Sequence, residues 1–234
     1  MRSGILFDAQ GIPISLDTYA LDDFDALLNV ADAYGLQVIP VLFDYTLANG
    51  VIMEGTSLVG EHPNVITNTV DRMALINIVK PIIQRYRTRS TIYAWDIMNE
   101  PEYVSAAPEA DVDAFIHAFV EMIHAEAPDA LVTVGCRNCG DLVRWKNSEL
   151  DLYQFHYYDN MVNEYPLDTP VASLELDKPV LVGECQPTDV EEKLDTIARN
   201  GYLGILFWSL NADYDFHSVA DLYNDWCHDM TEAN

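Results

Sequence analysis

The chain has 234 residues, 50% of them hydrophobic, with 8 Phe, 4 Trp and 13 Tyr, which is enough apolar material for a sizeable core and too much for a disordered chain. It carries 38 Asp plus Glu against 12 Lys plus Arg, a formal net charge of -26, and no basic tract, which argues against nucleic acid or an anionic membrane surface as a partner. No apolar run reaches membrane-spanning length and no signal-peptide core follows Met1-Arg2-Ser3-Gly4, so the chain as written reads as cytoplasmic, or as extracellular if it is a fragment of a secreted parent.

In chain order, residues 4–13 are turn-rich, and Ile5-Leu6-Phe7 is too short for a core strand. Residues 22–34 space Phe24, Leu27, Leu28 and Ala31 for a helix that Gly35 ends. Residues 36–43 (LQVIPVLF) read as a strand, followed by a long loop over 46–68. Residues 70–86 predict a second helix through Met73, Ile76, Val79 and Ile83, with a bend or break near Lys80 because Pro81 lacks a donor. Strand 91–98 (TIYAWDIM) precedes a helix over 111–126 that buries Phe115, Phe119, Met122 and Ile123 and stops before Pro128. Strands 131–135 (LVTVG), 152–156 (LYQFH) and 180–183 (VLVG) follow, then a helix over 190–199, strand 202–208 (YLGILFW) and a last helix over 219–227.

The strands are near-continuous apolar runs without strict alternation, as strands covered on both faces are. Alternation with helices predicts a parallel sheet of six recognisable strands. Six strands suit a doubly wound sheet or a β/α barrel, which needs about 250 residues. The absence of a glycine-rich phosphate loop after the first strand disfavours dinucleotide binding. Of the cysteines Cys136, Cys139, Cys185 and Cys227, the first two form a C-x-x-C pair with no second pair at finger spacing, so buried side chains near a strand end are expected rather than a metal site.

Two carboxylates stand where apolar strands meet loops: Glu100 closes WDIMNEP and Glu184 closes PVLVGE. Carboxylates enter such surroundings when paired or catalytic, and functional groups of parallel barrels gather at that end of the strands. Two glutamates on separate strands suit glycosidic bond cleavage, one donating a proton to the leaving oxygen and one attacking the anomeric carbon; a capping Glu with a surface Glu is the plain structural alternative. His156 and Tyr158, two apart after a strand, face one side if the extension continues, and Trp208 ends the last strand, where it either packs in the core or faces a sugar ring.

The blocks TIYAWDIMNEP, FHYYD, KPVLVGE and ILFWSL, in that order, resemble glycoside hydrolases of the β/α-barrel superfamily that contains the cellulases and β-mannanases of glycosyl hydrolase family 5, and YGLQVIPVLFDY resembles that family's third barrel strand. The resemblance implies α/β architecture: a TIM-type (β/α) barrel, incomplete at its amino terminus, as one catalytic domain over residues 1–234. It implies Glu100 as general acid/base and Glu184 as nucleophile of a retaining hydrolase. Asn99 matches the residue that bonds the sugar 2-hydroxyl, His156 a histidine near the acid/base, Tyr158 the tyrosine that holds the nucleophile, and Trp208 the platform beneath the sugar. Asp44 and Tyr45 fall where members of the family line the cleft. The implied partner is a β-linked oligosaccharide or polysaccharide, a β-mannan, β-glucan or relative; no metal, nucleotide or organic cofactor is implied.

The departures concern the amino terminus. The 35 residues before Leu36 resemble the loop and helix after the family's second strand, so two strands and the second-strand arginine are expected to be missing; the usual third-strand histidine is not evident in VLFDY. An open barrel would expose edges that invite self-association. A non-catalytic carbohydrate-binding or assembly protein is therefore the alternative to an active hydrolase.

Acidic, lysine-poor composition suits a salt-rich medium, because self-repulsion weakens the folded state and is screened by salt. The melting temperature is expected to rise between about 10 mM and 1 M NaCl, as the Debye length falls from about 30 Å to 3 Å; a calorimetric scan showing a flat or falling value would contradict this.

Overall fold

The computed structural model describes residues 4–53, 57–146, 148–209 and Trp226. The chain divides into two compact units, the first of Met1–Val134 and Ser148–Leu150, the second of Gly135–Asn147 and Asp151–Asn234.

In the first unit, β1 (Ile5–Phe7) and β2 (Pro13–Leu16) form a short antiparallel hairpin, so the turn-rich amino terminus makes no parallel strand. Helix α1 (Ala20–Ala33) buries Phe24, Leu28 and Ala31, while Leu27 is exposed. Gly35, at φ +66°, turns the chain out of it. Strand β3 (Val41–Asp44) begins later than the apolar run does, because Pro40 cannot donate to a ladder; only a bridge from Val38 to Ile92 precedes it.

The expected loop over 46–68 contains regular structure: α2 (Thr46–Asn49), an antiparallel pair β4 (Val51–Met53) and β5 (Ser57–Val59), and α3 (Asn64–Thr67). Helix α4 (Thr69–Tyr86) runs through Pro81, so of the expected bend or break there is no break. Buried Leu75, Ile76 and Val79 before the proline and Ile83 and Tyr86 after it pin both halves, which offsets the lost backbone bond. Strand β6 (Trp95–Asn99) pairs in parallel with β3, and α5 (Glu109–Glu126) buries Phe115, Phe119, Met122 and Ile123 as the spacing predicts.

The division between units falls inside β7 (Val132–Cys136). In the second unit Gly135 and Cys136 pair with β8 (Tyr153–Tyr157), after the short helix α6 (Leu142–Trp145). Strand β9 (Val180–Cys185) pairs in parallel with β8, and β10 (Gly204–Phe207) with β9, with α7 (Val190–Asn200) between them in sequence. Every residue of β7 and β8 is buried, as near-continuous apolar runs require. Cys136 ends β7, buried, and Cys139 opens the next turn; neither is in a disulfide, and nor is buried Cys185. Burial pushes Cys139 up to about 11 and Cys185 up to about 12. The helix expected over 219–227 lies outside the described residues apart from Trp226.

Asn68 caps α4: its side-chain oxygen accepts from Val70 N at 2.8 Å and Asp71 N at 3.4 Å. Asn68→Ala is expected to cost about 1 kcal/mol, and Asn68→Ser to retain most of the stability, by urea denaturation. Equal midpoints for all three proteins would show that the cap contributes nothing.

Candidate active site

In the first unit, β3 and β6 run in register so that Asp44 lies opposite Asn99. Asp44 uses both oxygens. Oδ1 accepts from Thr46 N at 2.8 Å and opens α2, while Oδ2 accepts from Asn99 Nδ2 at 2.8 Å. The Asn99 amide group is thereby held from its nitrogen side, which fixes where its oxygen lies. Sequence reasoning left Asp44 without a role; this contact supplies one.

Glu100 follows, at φ +46° and ψ +56°. A residue with a Cβ reaches this left-handed region only at a cost of about 1–2 kcal/mol. Pro101 disfavours the right-handed alternative for the residue before it, and Tyr103 N donates to Glu100 O at 3.0 Å to close the turn. The following loop is tied down by Asn49, whose Nδ2 donates to Tyr103 O at 2.7 Å and whose Oδ1 accepts from Ser105 N at 2.9 Å. The Tyr45 and Tyr103 rings lie 5.4 Å apart, and burial, with Asp44 and Glu100 nearby, pushes the Tyr45 phenol above its ordinary value. Asp96, which sequence reasoning left inside an apolar run, is 1% exposed and accepts from Met98 N through Oδ1. A cavity of about 320 Å³ in this unit, lined by Arg87, Tyr93, Trp95 and Leu131, lies toward the amino ends of β6 and β7, the opposite ends from Glu100.

In the second unit, β8 and β9 fall out of step between Phe155 and His156: Phe155 pairs with Val182, but His156 pairs with Glu184. Gly183 is the extra residue. A Cβ there would lie 2.4 Å from the Cγ and Cδ of Gln154, itself 4% exposed, so only glycine fits. The bulge brings Glu184 beside His156, whose Nδ1 is 3.5 Å from Glu184 Oε2. The Tyr158 hydroxyl donates to the same Oε2 at 2.8 Å. Both contacts fall on one oxygen, which sets the rotation of the carboxylate. Trp208 N donates to Cys185 O at 2.8 Å, anchoring an indole that is 46% exposed, and the Trp208–Ser209 peptide bond is cis.

The structure thus brings Glu184, His156 and Tyr158 into contact in one unit, with Trp208 bonded to the neighbouring backbone, and brings Asn99 onto Asp44 beside Glu100 in the other. All these residues stand at the carboxyl ends of parallel strands, where barrel sites form. A carboxylate oriented in this way is equipped for nucleophilic or proton-transfer work. Sequence reasoning did not find the Gly183 bulge, although a glycine just before a strand-ending glutamate was its available signal.

A family model described as cellulase (glycosyl hydrolase family 5) matches residues 4–213. The chain belongs to glycosyl hydrolase family 5. This family 5 chain is 23% identical over 259 residues to a mannan endo-1,4-beta-mannosidase of Mytilus edulis, covering 87% of this chain and 68% of that one. It is similar in structure to the beta-1,4-mannanase of the sea hare Aplysia kurodai, with TM-score 0.75 and 22% identity over 94% of this chain and 75% of that one. It is also similar to a beta-1,4-D-mannanase from Cryptopygus antarcticus, with TM-score 0.77 and 21% identity over 92% and 71%. These likenesses show the fold, a partial α/β barrel carried by six parallel strands among the described residues. The family 5 chain is accordingly a glycoside hydrolase for β-linked glycans.

Because Glu100 sits in the left-handed region, Glu100→Gly is expected to be more stable than Glu100→Ala by roughly 0.5–1 kcal/mol, measured by urea denaturation. An alanine protein as stable as the glycine one would mean that this backbone conformation is not held in solution.

Proposed function

We propose that this hydrolase cleaves β-1,4-linked mannan with retention of configuration, using Glu184 as nucleophile and Glu100 as acid/base, with the two units working as one catalytic domain. The observation that carries the reading is the 2.8 Å hydrogen bond from Tyr158 to Glu184 Oε2, with His156 on the same oxygen. Such a contact presents a carboxylate in one orientation, as in-line attack on an anomeric carbon requires. The mannan assignment is supported by the relatives from Mytilus edulis, Aplysia kurodai and Cryptopygus antarcticus, which are mannan-cleaving proteins.

In the first step the Glu184 carboxylate bonds to C1 as the bond from C1 to the leaving oxygen breaks, and Glu100 gives that oxygen its proton. In the second, water attacks C1, Glu100 takes the water's proton, and the bond to Glu184 breaks. Asn99, held by Asp44, binds the sugar 2-hydroxyl, and the exposed Trp208 ring stacks on the sugar's apolar face. A second reading is glycan binding without turnover, since the only arginine before Leu36 in the given sequence is Arg2.

The two readings separate in hydrolysis assays on mannan, cellulose and an aryl β-mannoside, at low and high salt. The unaltered protein is expected to release the β-anomer first by NMR, and both Glu184→Gln and Glu100→Gln to lose roughly 10³-fold or more in kcat on mannan. A crystal structure is expected to show the two carboxyl groups about 5 Å apart. Equal rates for the unaltered and Glu184→Gln proteins would end the catalytic reading, and mannan binding by both would favour the alternative.

A further inference from the structure

Lys193 is one of only four lysines in a chain of net charge -26, yet it lies 7% exposed on α7 rather than at the surface. A buried ammonium is tolerated when its donors are matched. Here three donors meet three acceptors: Asp159 Oδ1 at 2.7 Å, Gln186 O at 2.8 Å and Thr188 Oγ1 at 2.9 Å. The Thr188 hydroxyl also donates to Asp159. The ammonium lies 5.7 Å from the centre of the Tyr157 ring.

These partners belong to two loops. Asp159 directly follows Tyr158, the donor to Glu184, and Gln186 comes two residues after Glu184 itself. We propose that Lys193 is a positioning residue that staples the loop after β8 to the loop after β9 and so holds the Tyr158 hydroxyl on the Glu184 carboxylate. This inference rests on the proposed role of Glu184. A purely structural role would be to fasten α7, but that helix is already fastened by buried Val190, Leu194 and Ile197. Lys193 adds a bond between loops rather than more apolar contact. Its three acceptors include a backbone carbonyl and a hydroxyl, so the site is shaped for an ammonium and not only for a charge.

The test compares Lys193→Met, Lys193→Arg and Asp159→Asn with Leu194→Ala, which loosens α7 without touching the staple. Two readouts are taken from each: kcat and KM on mannan, and amide hydrogen exchange over residues 158–161 and 186–189. Lys193→Met and Asp159→Asn are expected to lose about 10- to 100-fold in kcat with little change in KM, because misplacement near the reacting group acts on the chemical step. Exchange should accelerate in both loops. Lys193→Arg should recover part of the kcat. Leu194→Ala should lower the melting temperature while leaving kcat and loop exchange unchanged below it. The proposal is overturned if Lys193→Met, or Asp159→Asn where the methionine variant does not fold, keeps both kcat and loop protection, or if Leu194→Ala reproduces their losses. Should the unaltered protein turn over no glycan, the nucleophile reading fails on its own, and loop exchange alone decides whether Lys193 is the staple.

Discussion

The hydrogen bond from the Tyr158 hydroxyl to Glu184 Oε2 spans 2.8 Å and exists because β9 carries one residue more than its pairing with β8 needs. In a regular parallel ladder successive side chains point to opposite faces, and an inserted residue reverses which face the following side chains take. Gly183 is that insertion, and Gln154 occupies the space where its Cβ would stand. The result places Glu184 level with His156 and within reach of Tyr158. A loss of that bulge would turn the carboxylate away from both partners at once, whatever the rest of the fold retained.

The strand ends of the first unit are ordered by different means. Asp44 and Asn99 face each other because β3 and β6 are in register, and their hydrogen bond needs no irregularity. Glu100 instead leaves the strand through a left-handed residue, a conformation maintained against its own steric cost. Asn49 ties the Tyr103 loop with bonds to backbone groups on both sides of Val104. Such strand ends and tethered loops limit the motion of the side chains they carry.

Few cations are available to a chain this acidic, and three described ones join the helices α1, α4 and α5 and the turn after α4. Arg85 and Arg89 pair with Asp25 and Asp32 of α1, and Lys80 with Glu126 of α5. These pairs are largely exposed and each contributes little to stability. Lys193 differs, being buried and bonded three ways. Its surroundings turn a scarce charge into a tether rather than a solvated surface group.

Much of the secondary structure was legible in the residues. Apolar runs marked each parallel strand, helical spacing marked α1, α4, α5 and α7, and Glu100 and Glu184 could be picked out because a carboxylate ending a buried strand is costly unless used. The boundaries moved where one residue's chemistry overrode the run, as at Pro40. Local pattern fell short where distant packing prevailed: α4 does not break at Pro81, with buried residues on both sides of it, and the segment after Asp44 acquires two short helices and a strand pair. Local pattern carries period and polarity, so it could specify which strands and helices form and which carboxylates are worth attention. It carries no distance between segments remote in sequence, so the Tyr158–Glu184 bond, the hold of Asp44 on Asn99 and the burial of Lys193 arose only once the strands had paired and the loops had closed over one another.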